Sequence, residues 1–191
     1  MSTYNVVLFL HVLAAIFGFG VAAVAHSTMF RVRSASSLDE VRGHLRVLGR
    51  TGPLFPISAV LLLALGGLLI QLSDTPAKWH WSDGWIVTAV VVLVLAEALG
   101  GLVIGRGVTA IEKQLAAAPN GPVDAGTREL LADRPIWFAS HVNTATIAAV
   151  VLLMTSKPSG LASMLVVLVG AAVGLASAAP FAKPVASPAT A

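Results

Sequence analysis

The chain has no cysteine, one tyrosine and little charge. Without cysteine there is no disulfide, no thiolate metal site and no thiol redox chemistry, and thiol usage leaves the compartment unmarked. Charged residues are 11% of the 191 positions, where a soluble domain carries about 25%. No strongly basic patch stands apart from the apolar segments. The net charge of +3 comes from residues in short connections, so it signals membrane topology and not nucleic-acid binding. No internal repeat stands out, and no motif spells out a reaction.

Apolar residues, by contrast, are abundant: 57% of the chain is hydrophobic and mean hydropathy is +0.86. They fall into blocks near the ~20 residues that a bilayer demands. The expected fold is all-α, a polytopic transmembrane helix bundle of five spans near 6–30, 54–72, 85–104, 136–156 and 161–179. Together they form one membrane domain over 1–181, followed by a disordered tail, 182–191. The first span has no basic region before it and no cleavage-like site after it, so it is expected to be retained and not removed as a signal peptide.

Two polar stretches are too hydrophilic to cross. In 34–50, Ser37 followed by Glu40 fits a capping box, and Val41, Leu45 and Leu48 recur at helical spacing. A short amphipathic helix is expected there on the cytoplasmic surface. Its Arg42, His44, Arg46 and Arg50 either meet anionic headgroups or form a solvated face. A second short helix is expected over 124–133, ended by Pro135. The loop 73–84 carries Trp79 and Trp81, which mark a headgroup level. Its Asp74, His80 and Asp83 offer a weak metal constellation.

Ten of the twelve Lys and Arg residues fall on one side if the N-terminus is outside; only Lys78 and Lys157 fall on the other. The positive-inside rule then places the C-terminus in the cytoplasm of a multi-pass cell-membrane protein.

Ionisable groups within spans are costly and point to function. His11 and His26 lie on the first span, about 60° apart around the helix and roughly 22 Å apart along it. Glu97 lies ~18 Å below Trp85, near the midplane. Gly101 and Gly105 share its side of the helix as a small-xxx-small pair. His141 opens the fourth span with Asn143, Thr144 and Thr146 close by, and Gly170 with Gly174 repeats the small-residue spacing in the fifth. Counting from Arg31 and Trp137, His26 lies roughly 8 Å and His141 roughly 6 Å from the inner edge. They are therefore expected to face each other, with spans one and four as neighbours.

Three functions fit these residues. The first is a haem- or metal-binding redox or accessory protein, with haem b held by His26 together with His141, or by His11 alone. The second is a small proton-coupled transporter built around Glu97, with the histidines as a proton ladder. The third is a non-catalytic assembly subunit that meets a partner helix through Gly101, Gly105, Gly170 and Gly174. The bilayer is the partner common to all three.

The first span reads Phe9-Leu10-His11-Val12-Leu13-Ala14-Ala15-Ile16-Phe17-Gly18-Phe19-Gly20. It resembles the bacterial copper-resistance-D and HemJ-type membrane proteins, and more closely an uncharacterised bacterial integral-membrane family of similar size. The end of span four, Leu152-Leu153-Met154-Thr155-Ser156-Lys157-Pro158, adds to the latter likeness. The likeness covers about a quarter of the chain. It implies that His11 matches a first-span histidine that ligates haem in HemJ-type proteins, whose activity is protoporphyrinogen oxidation. The chain departs from that pattern in its third span, which offers Glu97 where a lysine partner is expected. For copper, it has no cysteine and its Met29, Met154 and Met164 are scattered.

Overall fold

Why five crossings form is a matter of length and apolarity. The computed structural model describes residues 2–74 and 78–181, and the expected tail lies outside them. Five of its helical stretches are long and apolar enough to cross a membrane. Helix α1, Thr3–Ser34, starts at Ser2, whose Oγ accepts from the Asn5 N–H at 3.3 Å. Its 32 residues reach about 48 Å, more than the ~30 Å hydrocarbon core, so its last turn carries Arg31 and Arg33 beyond the lipid. Next come α2, Leu38–Thr51, and α3, Leu54–Leu72. Helix α4, Gly84–Leu99, runs through a π-helical segment, Gly100–Gly105, into α5, Arg106–Leu115. Helix α6, Ala125–Leu131, is short; α7, Arg134–Ser156, and α8, Gly160–Ala178, complete the bundle. The five expected spans and both short helices are all present.

The α2 cap differs in one detail from the expected box. Ser37 Oγ accepts from the Glu40 N–H at 3.3 Å, but the Glu40 carboxylate takes the N–H of Ser36 at 2.8 Å. Those Ser36 bonds hold the Glu40 carboxyl below its ordinary range. Asp124 caps α6 in the same way, accepting from the Thr127 N–H at 2.7 Å. Arg42 is bonded within the chain. Its guanidinium donates to the carbonyls of Leu115, at 2.8 Å, and Ala118, and to Asn120 Oδ1 at 2.6 Å. It satisfies the orphan carbonyls at the end of α5 and clamps α2 to it.

The hydrophobic core lies at the end of the bundle that carries α2, α5 and α6. Val41 and Leu45 of α2 pack with Val108, Ile111 and Leu115 of α5, with Met29 and Val32 of α1, and with Ile136 and Trp137 of α7. In the membrane layer the helices are more loosely gathered. Half of the apolar stretch of the fourth crossing, 50%, is buried, against 17–22% in the other four. Helix α7 is therefore the central post, and residues such as Ile16, Val60 and Leu168 face outward as lipid contacts.

Two groups of helices result. Helix α1 packs on α2 and α3, while α7 packs on α8 and α4. The α7–α8 seam depends on glycine. A Cβ on Gly174 would lie 2.6 Å from Val142 Cα, and one on Gly170 would lie 3.0 Å from Ala149 Cβ. Two of the four glycines expected to serve a partner helix, Gly170 and Gly174, are thus occupied within the chain. At the opposite end of the bundle the backbones of Gly84 and Gly160 touch, leaving no room for a side chain on Gly84. Lys157 Nζ stands 5.1 Å from the Trp79 ring, tying the tryptophan loop to the α7–α8 turn.

Candidate functional site

His26 and His141 meet as their depths imply. Their ring centroids are 4.7 Å apart, with the planes at 68°. Helix α1 brings His26 into the gap toward α7. There its Nδ1 lies 3.2 Å from Ser140 Oγ and 3.4 Å from Thr144 Oγ1. The Thr144 hydroxyl gives its only proton to the Ser140 carbonyl at 2.9 Å, so in the Thr144 contact the imidazole must donate. His141 is buried. Its Nδ1–H donates to the Trp137 carbonyl at 3.0 Å, which leaves Nε2 as the lone-pair nitrogen.

Aromatic rings enclose this pair on the side of the α2–α5 core. Phe30 is 5.0 Å from His26. Phe181, just past α8, stacks on His141 at 5.2 Å and 24° and on Trp137 at 5.6 Å and 20°. Arg33 donates to the Phe181 carbonyl, and its guanidinium lies 5.4 Å from the Trp137 ring. The residue count alone did not single out Phe181. The available signal was an aromatic residue directly after the last apolar block.

As placed in this structure, the two rings stand closer together than the ligands of one haem would. With Fe–N bonds near 2 Å, two imidazoles on opposite sides of an iron hold their centroids about 6 Å apart, and these rings are already in contact at 4.7 Å. Among the described residues no group of three or more His, Asp or Glu side chains converges on a metal position, so Asp74, His80 and Asp83 do not form one.

His11 lies elsewhere, on the α1–α3 seam. Its Cε1 is 3.4 Å from where a Gly66 Cβ would stand, and its Nδ1 is buried without a hydrogen-bond partner. The ring rests beside the Leu62 carbonyl. It takes no part in the His26–His141 contact.

Between the two helix groups runs a cleft of about 900 Å³. His26, Glu97, Ser140, Asn143 and Thr144 line its inner part, and Arg106, Thr109, Glu112 and Lys113 border its rim at the α5 end. Glu97 is half-buried, stands one turn before the π-helical segment, and makes no hydrogen bond or ion pair among the described residues. Asn143 Oδ1 is buried and equally unpartnered. Gly101 has nothing within 4 Å of its missing side chain, and Gly105 meets only the Gly100 carbonyl. These two glycines keep the wall beside Glu97 thin. A widened π turn next to polar groups that lack partners is a common mark of a binding site. Sequence reading found Glu97 and the glycines but not the cleft that joins them to Asn143.

Residues 5–158 match the family model described as "Predicted integral membrane protein (DUF2269)". That match covers most of the chain, which therefore belongs to this family of integral membrane proteins. No curated protein and no solved structure matches it.

Proposed function

We propose that this member of the DUF2269 family is a small proton-coupled carrier whose ligand site is the cleft between the α1–α3 and α4–α7–α8 groups. The observation that carries this reading is Glu97: an intramembrane carboxyl without a partner, on the wall of a cleft of about 900 Å³. A carboxyl in that position is costly and finds its compensation in a proton or a ligand. The cleft is within the usual ~300–1,000 Å³ of small-molecule sites. Asn143 and the Ser140–Thr144–His26 cluster supply hydrogen bonds on the facing wall. In this reading the N-terminus is outside and the C-terminus cytoplasmic, which places the charged rim of the cleft at the inner surface.

A hydrophobic carbodiimide, which reacts with protonated carboxyls, tests the reading. Dicyclohexylcarbodiimide should modify Glu97 in native membranes. Glu97→Gln should remove that modified peptide from the mass spectrum while leaving the melting midpoint unchanged. If the wild-type residue stays unmodified, the cleft is closed to ligands and the carrier reading fails.

A second reading keeps the redox function and the copper-resistance-D/HemJ-type likeness. Its support is the free Nε2 of His141, held by an Nδ1–H bond to a backbone carbonyl as metal-ligating histidines are. Haem b would then need a single axial histidine from His11, His26 or His141, and a visible absorption spectrum of the purified protein would reveal it. The assembly reading now rests on Gly101 and Gly105 alone, since Gly170 and Gly174 already pack on α7.

A further inference from the structure

Helix α1 packs chiefly on α2 and α3 and meets α7 through side chains. Where the cavities meet, the bar across this gap is His26 against Ser140, Thr144 and His141, and beside it Phe30 meets His141 and Trp137. Cavities open on both sides of it. One is the large cleft. The other is a groove of about 300 Å³ lined by Phe19, Ala23, Ser27 and Phe30. Ala22, His26, Thr144 and Ile147 line both.

The two mouths lie at different depths. Phe19 and Ala23 are exposed and precede Arg31 by twelve and eight residues, about 18 Å and 12 Å along the helix. The groove therefore opens within the hydrocarbon layer. At the other end Arg106 and Lys113 are exposed. Arg106 lies twenty-one residues past Trp85, about 32 Å, which is headgroup depth. Swinging the His26 side chain aside would join hydrocarbon to the cytoplasmic interface through the Glu97 cleft.

We propose that the gap between α1 and α7 is a side entrance through which a bilayer-dissolved amphiphile reaches Glu97, with His26 as its bar. The ligand class is an apolar-tailed molecule with a hydrogen-bonding head. The tail fits a mouth that opens into lipid and is lined mainly by apolar side chains. The head meets Asn143 Oδ1 and the Glu97 carboxyl, two cleft-lining groups without partners among the described residues. This inference rests on the cleft being the ligand site.

Two carbodiimides separate the routes. Dicyclohexylcarbodiimide dissolves in the bilayer; 1-ethyl-3-(3-dimethylaminopropyl)carbodiimide arrives from water. Two variants close the entrance in different ways. Ala23→Trp fills the groove from an exposed position. His26→Cys with Thr144→Cys, in this cysteine-free chain, is bridged by a short bifunctional methanethiosulfonate and reopened by dithiothreitol. In Ala23→Trp against wild type, and in the bridged form against the same double-cysteine protein reopened, modification of Glu97 by the lipid-soluble reagent should fall roughly tenfold, equivalent to about 1.4 kcal/mol of barrier, while modification by the water-soluble reagent is unchanged. Dithiothreitol should restore the bridged form. Unchanged lipid-soluble labelling in the closed forms would overturn the side entrance and leave the cleft reading standing. An equal loss with both reagents would overturn it too, since the effect would not be specific to the route. A wild-type protein unlabelled by the lipid-soluble reagent would instead remove the cleft reading itself.

Discussion

Replacing Gly174 with leucine should unseat α8 from the bundle. The reason is backbone contact. The first carbon of any side chain at 174 would stand 2.6 Å from Val142 Cα and 2.9 Å from the His141 carbonyl oxygen. Neither atom can turn away as a flexible side chain can, so the helices must part. Overpacking of this kind costs about 3 kcal/mol, which in a chain of this size lowers the melting midpoint by roughly 6–12 °C. The disturbance falls directly on the backbone that carries His141. Gly101→Leu is the control. It adds the same volume to a glycine on a crossing helix, but nothing lies within 4 Å of the Gly101 site. Thermal unfolding in detergent should separate the two variants. Equal midpoints would show that the α7–α8 seam is not where the structure puts it.

Trp137→Ala should be at least as damaging. Trp137 is 2% exposed, and it links α7 to the α2–α5 core and to the histidine pair. Its Nε1–H donates to the Leu131 carbonyl at 3.0 Å. Its ring stacks on Phe181 and lies 5.6 Å from Phe30 and 5.8 Å from His141. Removing a buried tryptophan costs about 3–5 kcal/mol. Trp137→Phe retains most of the packing and loses the hydrogen bond, a cost of about 1 kcal/mol. The order of midpoints should therefore be wild type, then phenylalanine, then alanine. An alanine variant as stable as the phenylalanine one would mean that the ring cluster contributes little.

The parts of this fold that could be read from the sequence are those set by length and depth. Span 54–72 coincides with α3, Leu54–Leu72, because the hydrocarbon layer imposes its own ruler. His26 and His141 could be paired because residue counts from Arg31 and Trp137 measure depth on helices of fixed rise. Helix α2 was legible through Ser37, Glu40 and its apolar stripe. Lateral arrangement was not legible. Lipid tails are as apolar as leucine, so the face a crossing helix turns inward leaves little trace in its apolar pattern. Gly170 and Gly174 resembled a surface for another chain for that reason, and only their contacts with Ala149 and Val142 show that they are used internally. Arg42 followed the general habit of basic residues near membranes until the end of α5 supplied carbonyls for it. The cleft itself depends on α1 and α7 meeting through side chains, a property of two helices together that neither segment carries alone.

The central claim is that Glu97 lies on a cleft that ligands and protons can reach. Infrared difference spectroscopy in lipid tests it most directly, comparing wild type with Glu97→Gln across a pH titration. The account predicts a protonated-carboxyl band that is missing from the Gln variant and disappears as the pH is raised, keeping pace with the bulk solution. A Glu97 band that stays unchanged through the titration would show a carboxyl sealed inside the bundle, and would contradict the account.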